Sequence, residues 1–243
     1  MPPPLPEGVS ILKYAVVAWV LCGSLACHSS DSPEPEETVA VSPRPEQLGG
    51  RLAFQRGSDP VSRALTEFVD AYSTAPETED ALRGVQERAR RSLEQLRADP
   101  DAATSTVIAS LDLLAAQDLS NHLAAFRLLA LVGTARGLER LRDEALRPLP
   151  VVPPSGTPRE EGPLKHLSTI RLAAVSALRH AALEGSGQAR PLLMQLVQGA
   201  ESPVRARSVE AVYAASPQRW RAKREMAAVL PPAELHLLTS VYP

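Results

Sequence analysis

The chain has 243 residues, with 26 Lys+Arg against 28 Asp+Glu, 44% hydrophobic and 4% aromatic residues, 23 Pro and two Cys. That length allows one large domain or two small ones, and a net charge of −2 gives no whole-chain electrostatic ground for a nucleic-acid binder. Cys22 and Cys27 lie in or at the end of an N-terminal apolar run, so the body beyond them has no disulfide, zinc-thiolate site or cysteine nucleophile. The cations are 23 Arg and 3 Lys, a skew that reads as codon bias rather than chemistry.

Tyr14 to Ala26 is a 13-residue uncharged apolar run between Lys13 and Cys27. A membrane-spanning helix needs about 20 apolar residues, whereas a secretory signal core needs only about 7–15. The run closes on Gly23-Ser24-Leu25-Ala26-Cys27, which resembles the bacterial lipoprotein signal. That resemblance implies cleavage before Cys27, a diacylglycerol on its thiol, and lipid anchoring in a bacterial cell envelope, at the outer membrane facing the periplasm. The commoner pattern has Leu three places before the Cys and a small residue two before; here these are Ser24 and Leu25. Glu7 and the early prolines are also unusual in a positive leader. The alternatives are an ordinary secretory signal with an incidental Cys, and an N-terminal anchor.

After a signal at 1–26, residues 27–58 read as an acidic, Pro-rich disordered tether. His28 to Gln47 holds five acids against Arg44 alone, with four prolines and no aromatic residue. Such a stretch buries too little apolar surface to offset its ordering entropy, and its charge and prolines keep it extended. What remains, 48–243, carries a net charge of +2.

From Asp59 the pattern is helix after helix, with no alternating strand pattern. Asp59-Pro60, Asp99-Pro100, Ser202-Pro203 and Ser216-Pro217 each place a capping side chain before a proline suited to a first helical position. Leu82, Val85, Ala89, Leu93 and Leu96 form one stripe at helical spacing. The spacing predicts helices over 60–73, 78–97, 100–117, 120–133, 135–147, 164–183, 187–199, 203–215, 217–229 and 232–240.

Internal repetition organises these helices. Ile170-Arg171 and Val204-Arg205 are 34 residues apart, and Val175/Val209, Ala177/Ala211, Leu178/Val212, Leu192/Met226 and Leu196/Leu230 keep that register. Leu123, Ala124, Ala125, Phe126 and Leu129 align with Leu172, Ala173, Ala174, Val175 and Leu178 at an offset of 49, which implies an insertion. The Pro-rich segment 148–163, with six prolines, is the place for it. A helix-pair repeat of this length reads as an α-solenoid. The pattern at 170–178 and 204–212 resembles HEAT-like repeats, so the expected fold over 59–243 is all-α, a solenoid of HEAT-like helix pairs. The resemblance implies a structural role for Arg171 and Arg205, bridging adjacent repeats through acids or carbonyls.

The candidate sites are few. His28, His122, His166, His180 and His236 form neither a two-His zinc spacing nor a His-Glu iron pair, so no metal or other cofactor is expected. Gly185-Ser186-Gly187 reads as a helix stop and turn. Arg219-Trp220-Arg221-Ala222-Lys223-Arg224 is the strongest anomaly: from Glu201 to Glu225 six basic residues face three acids. Arg219, Trp220, Arg221, Lys223 and Arg224 are therefore the candidate partner-binding residues, against the blander reading of a core Trp beside a solvated basic face. The prolines of 148–163 allow either a tolerated insertion or a polyproline II ligand.

The expected function is a non-enzymatic protein–protein interaction scaffold, lipid-anchored through Cys27. A binder of anionic envelope polymer through 205–224 and an enzyme maturation factor of HEAT-like type are the alternatives. Nucleic acid is not an expected partner of an exported chain.

Overall fold

A computed structural model describes residues 59–73, 78–115, 118–150 and 158–240. The signal segment, Cys27, the tether, His28 and residues 151–157 of the Pro-rich segment lie outside the described residues. The described chain is all-helical, without a strand among the described residues. Its elements are α1 (Pro60–Ser73), α2 (Glu79–Ala98), α3 (Pro100–Asp112), α4 (Leu119–Val132), α5 (Ala135–Leu146), α6 (Pro158–Leu183), α7 (Ala189–Gly199), α8 (Ser202–Ala215) and α9 (Arg219–Ala227). A 3₁₀ turn (Pro232–Glu234) and the short α10 (Leu237–Ser240) follow.

Local chemistry accounts for most of these ends. Asp59 caps α1 by accepting from the Ser62 amide at 2.9 Å, and Asp99 caps α3 by accepting from the Ala102 amide at 3.2 Å. Thr78 and Thr134 do the same for α2 and α5. Gly133 ends α4 in the left-handed region at φ 73°, its amide donating to Leu129 at 3.0 Å. Gly185 ends α6 at φ 90°; its amide donates to Ala182 and that of Ser186 to Ala181, a Schellman closure.

Three expectations about helix ends are corrected. Ser202 does not cap α8: it is the first helical residue, and Glu201 holds the cap position without a side-chain hydrogen bond. Ser216 closes α8 instead of opening α9, its hydroxyl donating back to the Val212 carbonyl at 2.6 Å. Helix α6 starts at Pro158 rather than at 164, so the Pro-rich interruption is shorter than 148–163. Thr157-Pro158 is the same capping-residue-plus-proline signal as at Asp99-Pro100.

The apolar stripes close one continuous core. Val175, Leu178, Val209 and Val212 are all fully buried, as are Phe126 and Leu129 at the equivalent places of α4. The second helices repeat the phase: Leu192 and Leu196 on α7 and Met226 and Leu230, 34 residues further on, are all buried.

Packing follows chain order. Among the described residues, every pair of helices in substantial contact is one or two elements apart, counting helices in sequence. Thus α6 packs on both α4 and α8, and α5 packs on α7.

Candidate functional site

Helix α9 carries the basic cluster, and its wheel sorts that cluster by face. Ala222 and Met226 point into the core, fully buried. Arg219 and Lys223, one turn apart, lie over the Tyr213 ring of α8, at 5.3 Å and 5.5 Å from its centroid. Trp220, Arg221 and Arg224 take the outward face. With Gln218 and Glu225 they line an open surface depression of about 420 Å³.

Trp220 is 63% exposed, so it is not a core tryptophan. Beyond α9 only the 3₁₀ turn and α10 remain in the described chain, and neither covers that ring. Glu225 is the acid of the depression, and it is already engaged. Arg190 of α7 pairs with it, and the Arg221 Nε donates to it at 3.0 Å. The Arg190 guanidinium, helped by Arg221, holds the Glu225 carboxyl below its usual range. Arg224 has no carboxylate partner among the described residues. The face therefore presents net positive charge around an exposed indole.

A second depression, of about 390 Å³, is lined by Asp112, Arg140, Asp143, Glu144, Arg147 and Pro148. Its charges are spent internally. Arg140 reaches Asp112 at 2.7 Å and Glu144 at 2.8 Å, and Arg147 approaches Glu144 at 3.4 Å. Glu144 is buried; burial works to lower the Arg140 pKa, but the charges and hydrogen bonds of Glu144 and Asp112 together outweigh it and raise it. This is an ion network that joins α3 to α5.

Arg171 and Arg205 sit at equivalent places on α6 and α8, and each spans helices. Arg171 is buried at 4% exposure; its Nε donates to the Ala145 carbonyl at 3.0 Å and its Nη1 to Glu201 at 3.0 Å. Arg205 pairs with Glu234 of the 3₁₀ turn at 2.6 Å. They belong to a wider set that sequence reasoning missed. Arg97 of α2 donates to the Leu131 carbonyl of α4, Arg140 of α5 pairs with Asp112 of α3, and Arg142 of α5 donates to Gln195 of α7. Arg190 of α7 reaches Glu225 of α9. Alternate helices are stitched by arginine, so the Arg-over-Lys skew has a structural use: a planar fork of donors reaches two acceptors at once. No single-position signal in the sequence reveals this, because these partners lie between 26 and 53 residues away.

The histidines are dispersed. His122 is buried on α4, its Nδ1 3.0 Å from the Asp118 carbonyl and its ring edge-on to Phe126. At the offset of 49, His122 occupies the place of Arg171. His236 is exposed, beside the Ala233 carbonyl. His180 is half-buried, and burial together with the Arg127 charge lowers its pKa, against Glu184. Among the described residues no group of three or more His, Cys, Asp or Glu is close enough to hold a metal ion. Among them, too, no helix is long and apolar enough to cross a membrane.

Compared with known proteins, the chain matches no family profile, no curated sequence and no solved structure.

Proposed function

We propose that this chain is a non-enzymatic interaction scaffold of the cell envelope. Its helix pairs form a HEAT-like solenoid, and Cys27 ties it by a lipid to a bacterial membrane, at the outer membrane facing the periplasm. The observation that carries the reading is the packing rule: contact falls off beyond the second neighbour, while buried positions recur in phase along α4, α6 and α8. A stack of that kind exposes a long surface relative to its core, which suits binding of another macromolecule. Among the described residues, buried charged groups such as Glu144 and Arg171 are engaged in pairs that join helices. The short apolar run ending at Cys27 supports the anchor.

Metabolic labelling with a fatty acid tests the anchor. The wild type should incorporate label and enter the detergent phase, and Cys27→Ser should do neither and accumulate as precursor. Equal label in both forms overturns it. For the scaffold, mild-detergent purification of the wild type should retain a protein partner in fixed stoichiometry, and a monodisperse chain without one argues against it.

A further inference from the structure

We infer that the outward face of α9 is a docking surface for an anionic lipid bilayer, with Trp220 as the interfacial anchor and Arg221 and Arg224 as the contacts to lipid phosphates. It goes beyond the scaffold reading, resting on it only for why a bilayer is at hand. Three observations converge on this face. Trp220 is 63% exposed, an arrangement that leaves a large apolar ring in water with a polar N–H at its edge. Such a ring is stabilised at the boundary between headgroups and acyl chains, where the body is buried and the N–H stays hydrated. Arg221 and Arg224 flank it in the same depression, and Arg219 and Lys223 stand on the neighbouring flank over Tyr213. Long basic side chains of this kind keep their charge at the phosphates while their stems lie along apolar surface. The one acid of the depression, Glu225, is held by Arg190 and Arg221, so the field of the patch stays positive.

Helix stability explains only part of the placement. Arg219 and Arg221 occupy the first turn of α9, where the helix dipole disfavours cations, and Gln218 offers no side-chain cap. Arg219 is met by the Tyr213 ring, Arg221 by Glu225, and Arg224 suits the last turn of the helix, so the feature left for an external partner is the exposed Trp220 ring beside these cations. Charge complementarity selects an anionic one. The single exposed indole beside the cations selects a bilayer over a soluble polyanion, because only the bilayer offers an apolar layer beneath its charge.

The test uses the full chain with Trp19→Phe, so that Trp220 is the only one left of two tryptophans. The protein is mixed with vesicles of phosphatidylcholine, or of phosphatidylcholine with about one-third phosphatidylglycerol. On the anionic vesicles Trp220 emission should shift to the blue and be quenched by lipid brominated near the headgroup; on the neutral vesicles it should do neither. High salt should reverse both effects. Arg221→Glu/Arg224→Glu should weaken the anionic-vesicle response at least about tenfold, with helicity unchanged by circular dichroism. Arg224→Glu alone breaks no ion pair among the described residues, and it should show the same direction if the double variant misfolds. Trp220 emission that is identical on the two vesicle types overturns the proposal. So does a blue shift produced by soluble polyglutamate and not by vesicles, which would make the patch a polyanion or acidic-protein site. Because the vesicles are supplied and Trp220 itself is read, failure here is distinct from failure of the Cys27 labelling experiment.

Discussion

Arg171 and Glu201 are 30 residues apart in sequence and 3.0 Å apart in space, joining α6 to the residue that opens α8. The same guanidinium donates to the Ala145 carbonyl near the C-terminal end of α5, so one side chain ties α5, α6 and the start of α8. One repeat later Arg205 makes the corresponding link to Glu234. The pair is asymmetric: Arg171 is buried, whereas the Glu201 side chain is 59% exposed. Removing the arginine should therefore matter far more than removing the acid.

Arg171→Ala leaves a backbone carbonyl without its donor and opens a gap among α5, α6 and α8. Denaturant unfolding should show a loss of about 2 kcal/mol. Glu201→Gln should cost less than about 1 kcal/mol, in the range of a half-solvated ion pair. Arg171→Lys should not rescue, since an ammonium cannot present two donors in a plane. Equal losses from Arg171→Ala and Glu201→Gln would refute this ranking.

Leu178 is fully buried in the core. Leu178→Ala should destabilise by about 2–5 kcal/mol and lower the melting temperature of the body as a whole. Arg221→Ala, on the exposed side of α9, should change stability by no more than about 0.5 kcal/mol. Thermal melts of the two variants beside wild type make the comparison. A Leu178→Ala melt that coincides with wild type would mean that the repeat register is wrong.

His180 gives the body a pH dependence of known sign. Burial and the Arg127 charge lower its pKa in the folded chain below the ordinary value of 6.5. The unfolded chain thus holds this proton more tightly, and protonation favours unfolding. Stability from this residue is complete above the unfolded pKa and is lost as pH falls through it toward the folded value. The melting temperature should drop between about pH 7 and pH 5, and His180→Asn should flatten that slope. A slope unchanged in His180→Asn assigns the effect to other groups.

Gly133 closes α4 at φ 73°, a conformation that strains any residue with a Cβ. Gly133→Ala should cost about 1 kcal/mol. Gly187 has no such φ and open space where a Cβ would go, so Gly187→Ala should be neutral or slightly stabilising. Chemical denaturation of the two single variants reads the difference directly.

Much of the helical frame was legible in the residues because helix signals are local. Asp59, Asp99 and Gly185 act within one turn of themselves, and a stripe such as Leu82 to Leu96 repeats every 3.6 residues whatever surrounds it. The burial of Val175, Leu178, Val209 and Val212 was legible for a related reason: two copies of one pattern at one spacing require one environment. The cap at Ser216 was misread because a serine before a proline fits both a helix start and a helix end, whereas at Ser202 the helix start was right and the cap is one residue earlier, at Glu201. The exposure of Trp220 was not legible either. A tryptophan on a helix is buried only where another element covers it, and that is decided by how α9 packs on α8 and on the segments that follow. The arginine links are the clearest case. Arg171 is readable as a repeat position, but its contacts with Ala145 and Glu201 form only when α5, α6 and α8 are stacked, because they join backbone and side chains from three separate helices.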